Sequence, residues 1–535
     1  MQNNTNFSFL SFLIQMKKRI SQLEYNSSIP TTLLNQVCDA FLNTQPYYAT
    51  LFFSTHLDHV SFPYTPMDPG HVLLKKLKPY PSSLLRNTLE EIIVRETLLC
   101  KQMKPLPLYS RFLDSPLSYL IDFVNNGKQP VVSTQHYQLL VQRFYNTVDN
   151  IRQINLQLLK SAKKGVVMNS DQVLAILSES LKATFNEESI KKQPKLKDFY
   201  NTLYLPFTKE WKSWMERHYV PLCKPSLGLF GLPSNKTIYS ACIRYHTGHS
   251  FTPDEIFTLG IKAVLSIRKK QEQLIQIHYP GLSVDDFIRQ YIRGQNNRFK
   301  SPEDMKQTVQ DLLKLFDSQV RQEFDLPKGY QTPTVNTLSD PDKILGWAAP
   351  HEFFLNTVEW KSIPKSDMIP FTLHEAIPGH AFQLQFNDTP ECLVKISFFT
   401  NVVEGIGLYA EECFEPTDLF SNYSRLNYHI WRALRLVVDS GIHYKGWDLD
   451  KCLQLMTFYC YHDPDILKTE ILRYASNPGQ ACAYYVGYLD LKRMEEQWKQ
   501  KHPEATKRKY AFFNEVLKYS RYSMSSIAEV LGVTL

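Results

Sequence analysis

The sequence predicts a mainly α-helical protein: a large helical body holding a cleft, with one small β element near it. Three observations carry that expectation. Apolar residues recur at helical spacing over long stretches, at about 84 to 103, 134 to 162, 420 to 440 and 480 to 500. Two further stretches open on clear N-terminal helix signals. Strand-like runs are few and short.

The first signal is Thr252-Pro253-Asp254-Glu255. It offers a capping hydroxyl, a proline in the first turn and a glutamate three residues on to close a capping box. In the helix that follows, Ile256 to Ile277, the residues Phe257, Ile261, Val264 and Ile275 fall near one face. Ser301-Pro302-Glu303-Asp304 opens a second helix in the same way, running through Leu312, Leu313 and Phe316. Prolines punctuate the connections, notably Pro63 to Pro69, Pro79 to Pro81 and Pro105 to Pro107. Asp325 to Pro350, rich in Pro, Gly, Asp and Thr, is expected to be a loop that lines or covers the cleft. Directly after it, His351 to Val358 reads as extended, with aromatic and β-branched residues, and is expected to be an edge strand.

No tandem repeat is present, which counts against a solenoid scaffold. A shift in composition near Lys191 to Lys195 separates an N-terminal helical region, 1–194, from a second region, 195–535, the two expected to pack as one unit.

Hydrophobic content of 43% and charged content of 21% belong to a folded globular chain. A net charge of +7 is small for 535 residues. Clusters such as Lys17-Lys18-Arg19 and Lys191-Lys192 read as solvated helix faces, so no nucleic-acid partner is expected. Nine cysteines without a Cys-x-x-Cys pair favour a reducing, cytoplasmic setting, while Asn-x-Ser/Thr sequons at Asn3, Asn6, Asn26, Asn235, Asn387 and Asn422 keep a secreted one open. Phe7 to Met16 is apolar but has no preceding basic residue and no small-residue cleavage site, so it is read as the start of an amphipathic helix. No apolar run reaches about twenty residues, so no spanning helix is expected. The sequence leaves the oligomeric state open.

Chemistry concentrates in the second region, at His374-Glu375-Ala376-Ile377-Pro378-Gly379-His380, with Glu404-Gly405 following 24 residues after the second histidine. Two imidazoles and a distant carboxylate can hold one metal ion, and a carboxylate beside the first histidine can take a proton from water at that ion. The histidines are six residues apart, which on an undistorted helix turns them roughly 240° from one another. Pro378-Gly379 must therefore break the helix and swing His380 back beside His374. His351-Glu352 is another His-Glu pair, but it has no second histidine at useful spacing and reads as structural.

The stretch Leu373 to Gln383 resembles the signature of domain-of-unknown-function family 885, a group of zinc-metallopeptidase-like proteins related to the gluzincins. Further stretches fit the same family in the same order: Glu404 to Glu411, Arg435 to His443, Arg473-Tyr474, and Pro478 to Tyr484. Upstream, Gly228 to Leu259 fits as well. The likeness is clear from about residue 195 to 490. Ile406 departs from it, standing where the family usually has tryptophan and leaving the shape of one pocket wall open.

The resemblance implies a gluzincin-like helical fold and a single zinc ion (Zn2+) held by His374, His380 and Glu404. It further implies Glu375 as general base, and Tyr484, His443 and Arg473 as candidate donors to the charge that develops on a cleaved carbonyl. Tyr484 comes first among them. Arg473 has a plainer alternative, an ion pair with Glu470 three positions earlier. Glu411, seven residues beyond Glu404 and near two turns along the same face, is its rival as ligand, or else an orienting partner for a ligating imidazole. The expected activity is that of a zinc peptidase acting on oligopeptides. The other readings are a helical binding protein that keeps a metal without turnover, and a metallohydrolase of a non-peptide amide. Manganese and cobalt accept the same donors.

Overall fold

The computed structural model describes residues 29–44, 70–80, 83–103, 117–125, 127, 129–338, 345–386, 389, 398–414 and 418–535. The apolar stretch Phe7 to Met16 and the prolines at 63–69 and 105–107 lie outside these residues.

Helices account for nearly all regular structure. Those that position the site are α1 (Leu84–Met103), α2 (Asn235–Thr247), α3 (Pro253–His278), α4 (Pro302–Glu323), α5 (Met368–Glu375), α6 (His380–Gln383), α7 (Thr400–Ala410), α8 (Leu419–His443), α9 (Pro464–Ser476) and α10 (Ala483–Lys501). A further long helix spans Thr134–Ala162. The capping box forms as the sequence demands: Thr252 Oγ1 accepts from Glu255 N, and the Glu255 carboxylate accepts from Thr252 N at 2.7 Å. Ser301 caps α4 in the same manner, its hydroxyl accepting from Asp304 N. The buried stripe of α3 is Ile256, Gly260, Ala263, Val264, Ile267, Gln271 and Ile275. Phe257 and Ile261 are only half-buried, so the packed face is centred slightly earlier in sequence than their spacing predicts.

That face is set by α8. A Cβ at Gly260 would stand 2.7 Å from Val437 Cγ2 and 2.8 Å from Leu436 Cβ, so the two helices meet with almost no side chain between them. Residues 427 to 443 of α8 are all buried, the mark of a helix enclosed on every side. It packs against α3, α5, α9 and α10. One apolar core runs from Ile29 to Val533, with a satellite around Phe287, Tyr423 and Tyr461.

The segment expected to be a loop carries two strands, β1 (Thr334–Leu338) and β2 (Gly346–Ala349), which flank β3 (Glu352–Asn356) in the order β1-β3-β2. β3 pairs parallel with β1, Val335 opposite Phe353, and antiparallel with β2, Ala348 opposite Phe353. The expected edge strand is thus the central one. Its alternate residues Phe353 and Leu355 share one face and are fully buried. The outer strand β2 is the one that packs against α5 and α6. Among the described residues no helix is long and apolar enough to cross a membrane, and Cys38, Cys223, Cys242, Cys413, Cys452, Cys460 and Cys482 are free thiols.

Candidate metal centre

α5 ends at Glu375. The next residue, Ala376, leaves helical geometry (φ −111, ψ −85), the Ile377-Pro378 peptide is cis, and α6 begins at His380. Gly379 makes the reversal sterically possible: a Cβ there would lie 1.9 Å from the His374 carbonyl oxygen and 2.3 Å from that of Leu373. The break brings the two imidazoles together, ring centroids 4.7 Å apart and planes at 84°.

α7 supplies the third group. Glu404 Oε2 lies 3.6 Å from His374 Nε2 and 3.5 Å from His380 Nε2, and one ligand atom from each of the three residues falls within 4.8 Å of the others. These contacts are too long for hydrogen bonds. They match two donors sharing a tetrahedral ion at about 2.0–2.1 Å each, which places the donors about 3.4 Å apart. Gly407 keeps the space open, since a Cβ there would stand 2.7 Å from His374 Cε1 and 2.9 Å from His380 Cε1. The donor set and its spacing fit one divalent cation.

Glu411 takes the orienting position. Fully buried, it meets His374 Nδ1 at 2.8 Å and so leaves Nε2 facing Glu404. Arg432 Nη2 approaches the same carboxylate at 3.5 Å and His429 Nε2 at 3.8 Å. Glu404 is the carboxylate that the Nε2 atoms of both imidazoles face.

With only protein charges around it, His374 is held up at about 9: burial opposes protonation, but the carboxylates of Glu404 and Glu411 outweigh it. Glu404, although buried, is held well below the usual carboxylate range by the same two imidazoles. Glu375 is shifted the other way, raised by burial against the pull of His380 and His374. It is half-buried and makes no hydrogen bond or ion pair with any described residue.

Tyr484 stands close by. α7 and α10 touch backbone to backbone where Gly405 meets Gly487, a Cβ on Gly405 lying 2.7 Å from the Gly487 carbonyl carbon. Tyr484 is one turn before Gly487 and Glu404 adjoins Gly405, so the crossing carries phenol to carboxylate. Burial and then the Glu404 charge raise the phenol pKa, which keeps its hydroxyl a donor. Arg473 is tied down on α9: Nε and Nη2 reach Glu470 at 3.0 and 2.9 Å, and Nη1 reaches Gln480 at 2.9 Å. The plainer alternative for Arg473, the ion pair, is what forms, and no contact joins it to the three ligand atoms.

His443 is placed elsewhere, a correction to its reading as an oxyanion donor. Fully buried, it accepts from Leu229 N at Nδ1 (3.0 Å) and donates from Nε2 to Tyr474 O (3.1 Å). Burial lowers its pKa to about 3, with the Tyr474 bond resisting, so the ring is neutral. It sits eleven residues beyond Arg432 on α8, about 16 Å along the axis. Ile406 is fully buried.

Several participants escaped the sequence reading. Gly407 was visible as the second glycine of Glu-Gly-Ile-Gly, without a stated reason. Arg432 and Arg435 share an i, i+3 spacing that puts both on one helix face, yet nothing local marks their partners. His429 gave no signal beyond charge.

Fold and site together define a helical protein with a two-histidine, one-glutamate centre built around a Pro-Gly break. The chain belongs to the DUF885 family, described as bacterial protein of unknown function, whose pattern matches residues 84–530 and so reaches well into the N-terminal region. Two solved structures, both named putative lipoproteins, are similar to it. The one from Colwellia psychrerythraea has a TM-score of 0.76 at 17% identity, covering 94% of this chain and 98% of that one. The other, from Shewanella oneidensis and of unknown function, has a TM-score of 0.67 at 15% identity, covering 92% and 99%. At these identities the likeness carries the fold alone. No curated protein matches the chain.

Proposed function

We propose that the protein is a zinc-dependent peptidase, gluzincin-like in its donor set, that hydrolyses peptide bonds of oligopeptides. The observation that carries this is the convergence of His374, His380 and Glu404 at ion-sharing distances, with an unpartnered carboxylate, Glu375, beside the first of them. A purely structural centre more often uses four protein ligands including cysteine.

When bound, zinc supplies polarisation of the scissile carbonyl and acidification of water. The chain's own groups do the rest. Glu375, its basicity raised by burial, takes the proton of the attacking water and returns it to the leaving amine. Tyr484 donates its hydroxyl to the carbonyl oxygen as charge develops there. Glu411 holds His374 in one tautomer, and Gly407 leaves room for both rings. β2, an outer strand packed against α5 and α6, offers main-chain groups to an extended peptide.

The test is metal analysis of the purified protein, followed by digestion of a mixed peptide library read by mass spectrometry. About one zinc per chain and cleavage that a chelator stops and zinc restores are expected. Cleavage indifferent to the chelator, or undiminished in Glu375→Gln, would remove the proposal.

A further inference from the structure

Next to the candidate metal centre, two arginines from different helices share a single carboxylate. Arg435 of α8 places Nη2 3.1 Å from Glu470 Oε2 and Nε 3.0 Å from the Tyr474 hydroxyl. Its side chain is only 7% exposed, and its Nη1, also buried, has no hydrogen-bond partner among the described residues. Arg473 of α9 grips the same Glu470 through Nε and Nη2. Glu470 also accepts from Tyr474 at 2.7 Å, so its oxygens are fully used. Two cations therefore face one saturated anion. A guanidinium carries five N–H groups, and in both residues some are left over. An excess cation in a largely buried place is costly unless a further anion arrives.

The excess charge points toward the chemistry. The Arg435 guanidinium carbon stands over the Tyr484 ring, 4.2 Å from its centroid, and Tyr484 lies on α10 one turn before Gly487, whose backbone touches Gly405 beside Glu404. The Tyr484 side chain thus links Arg435 to the helix that carries Glu404, and the length of one phenol side chain is about that of two extended residues. The forked geometry of guanidinium suits a carboxylate.

Building on the peptidase reading above, we propose that Arg435 and Arg473 form the subsite for the α-carboxylate of a peptide's last residue, so that the enzyme cleaves within about two residues of a free C-terminus. Both are binding residues. Neither handles the reacting atoms.

Zinc-loaded wild-type protein would be given three matched peptides: one ending in a free acid, the same ending in a carboxamide, and a carboxamide whose last residue is glutamate. The free acid should exceed the plain carboxamide in kcat/KM by about 30-fold or more, as loss of a charged contact implies. Arg473→Gln and Arg435→Gln should collapse the acid-to-amide ratio toward one, and Arg473→Lys, which keeps the charge, should recover part of it. Because the peptide comparison needs no variant, misfolding of a variant leaves the proposal open to refutation. Equal cleavage of acid and amide by wild type would overturn the subsite and spare the peptidase. Restoration by the glutamyl carboxamide would assign the site to acidic side chains and overturn the terminal assignment. Variants that slow both substrates equally would make the arginines a structural clamp between α8 and α9. Cleavage of no peptide at all would remove the peptidase reading, and this proposal with it.

Discussion

His374 and His443 are about equally hidden, at 3% and 0% exposed, and each stands in a motif block, yet their nitrogens have different fates. Both nitrogens of His443 end on backbone groups, Leu229 N and Tyr474 O, within the fold. Its neighbour Asp439 is likewise satisfied, by Tyr239 at 2.5 Å and Gly479 N at 3.0 Å. His374 spends Nδ1 on Glu411 and turns Nε2 toward Glu404, which stands at 3.6 Å, beyond hydrogen-bond distance. Buried polar groups are almost always paired, so a cluster left at that spacing marks a place prepared for something else. Burial and motif membership therefore do not separate a structural histidine from a candidate ligand. The destination of the second ring nitrogen does.

The contrast can be broken in several ways. The largest effect is expected at Glu375→Gln, which should lower turnover by about a thousandfold, within the usual range for a general base, while leaving metal content unchanged. Metal analysis beside steady-state kinetics checks both halves. His380→Ala should abolish stoichiometric metal binding, whereas His443→Ala should keep the ion and instead lose about 2–4 kcal/mol of stability in denaturant titration, because it orphans the buried Leu229 N–H, takes one of two partners from Tyr474 O and leaves a cavity. A stable His443 variant that lost the ion would reverse the assignment. Glu411→Gln should weaken metal affinity by about 10–100-fold without emptying the site, as measured by competition with a chromogenic chelator.

The smallest effect is a pH dependence. Unfolded His443 takes up a proton below 6.5, while the folded ring stays neutral down to about 3. The unfolded state therefore binds more protons in that window, and stability falls as pH drops through it. A folded His443→Gln variant should lose part of that acid sensitivity, read as a flatter dependence of the denaturation midpoint on pH. An unchanged slope would mean that the histidine is not the group responsible.

Much of the fold was legible because its signals are local. The capping box at Thr252 and Glu255 and the hydroxyl cap at Ser301 start helices where they should, and Pro378-Gly379 ends one where two histidines six apart require it. What failed depended on distant partners. β3 is central because two strands hidden in a Pro- and Gly-rich segment flank it, and no property of residues 351–358 reports that. His443 is structural because its partner Leu229 N lies 214 residues away in sequence. The site divides likewise. His374, Glu375, His380 and Glu404 were readable from residue type and spacing, but Arg435 gains meaning only once α9 and α10 bring Glu470 and Tyr484 to it.

X-ray absorption at the zinc edge, on protein purified without chelator, reports most directly on the central claim. One ion per chain is predicted, with two imidazole nitrogens and a carboxylate oxygen at about 2.0–2.2 Å, and the signal should vanish in His380→Ala. A protein that binds no divalent ion, or one whose ion keeps the same ligands after that substitution, would contradict it.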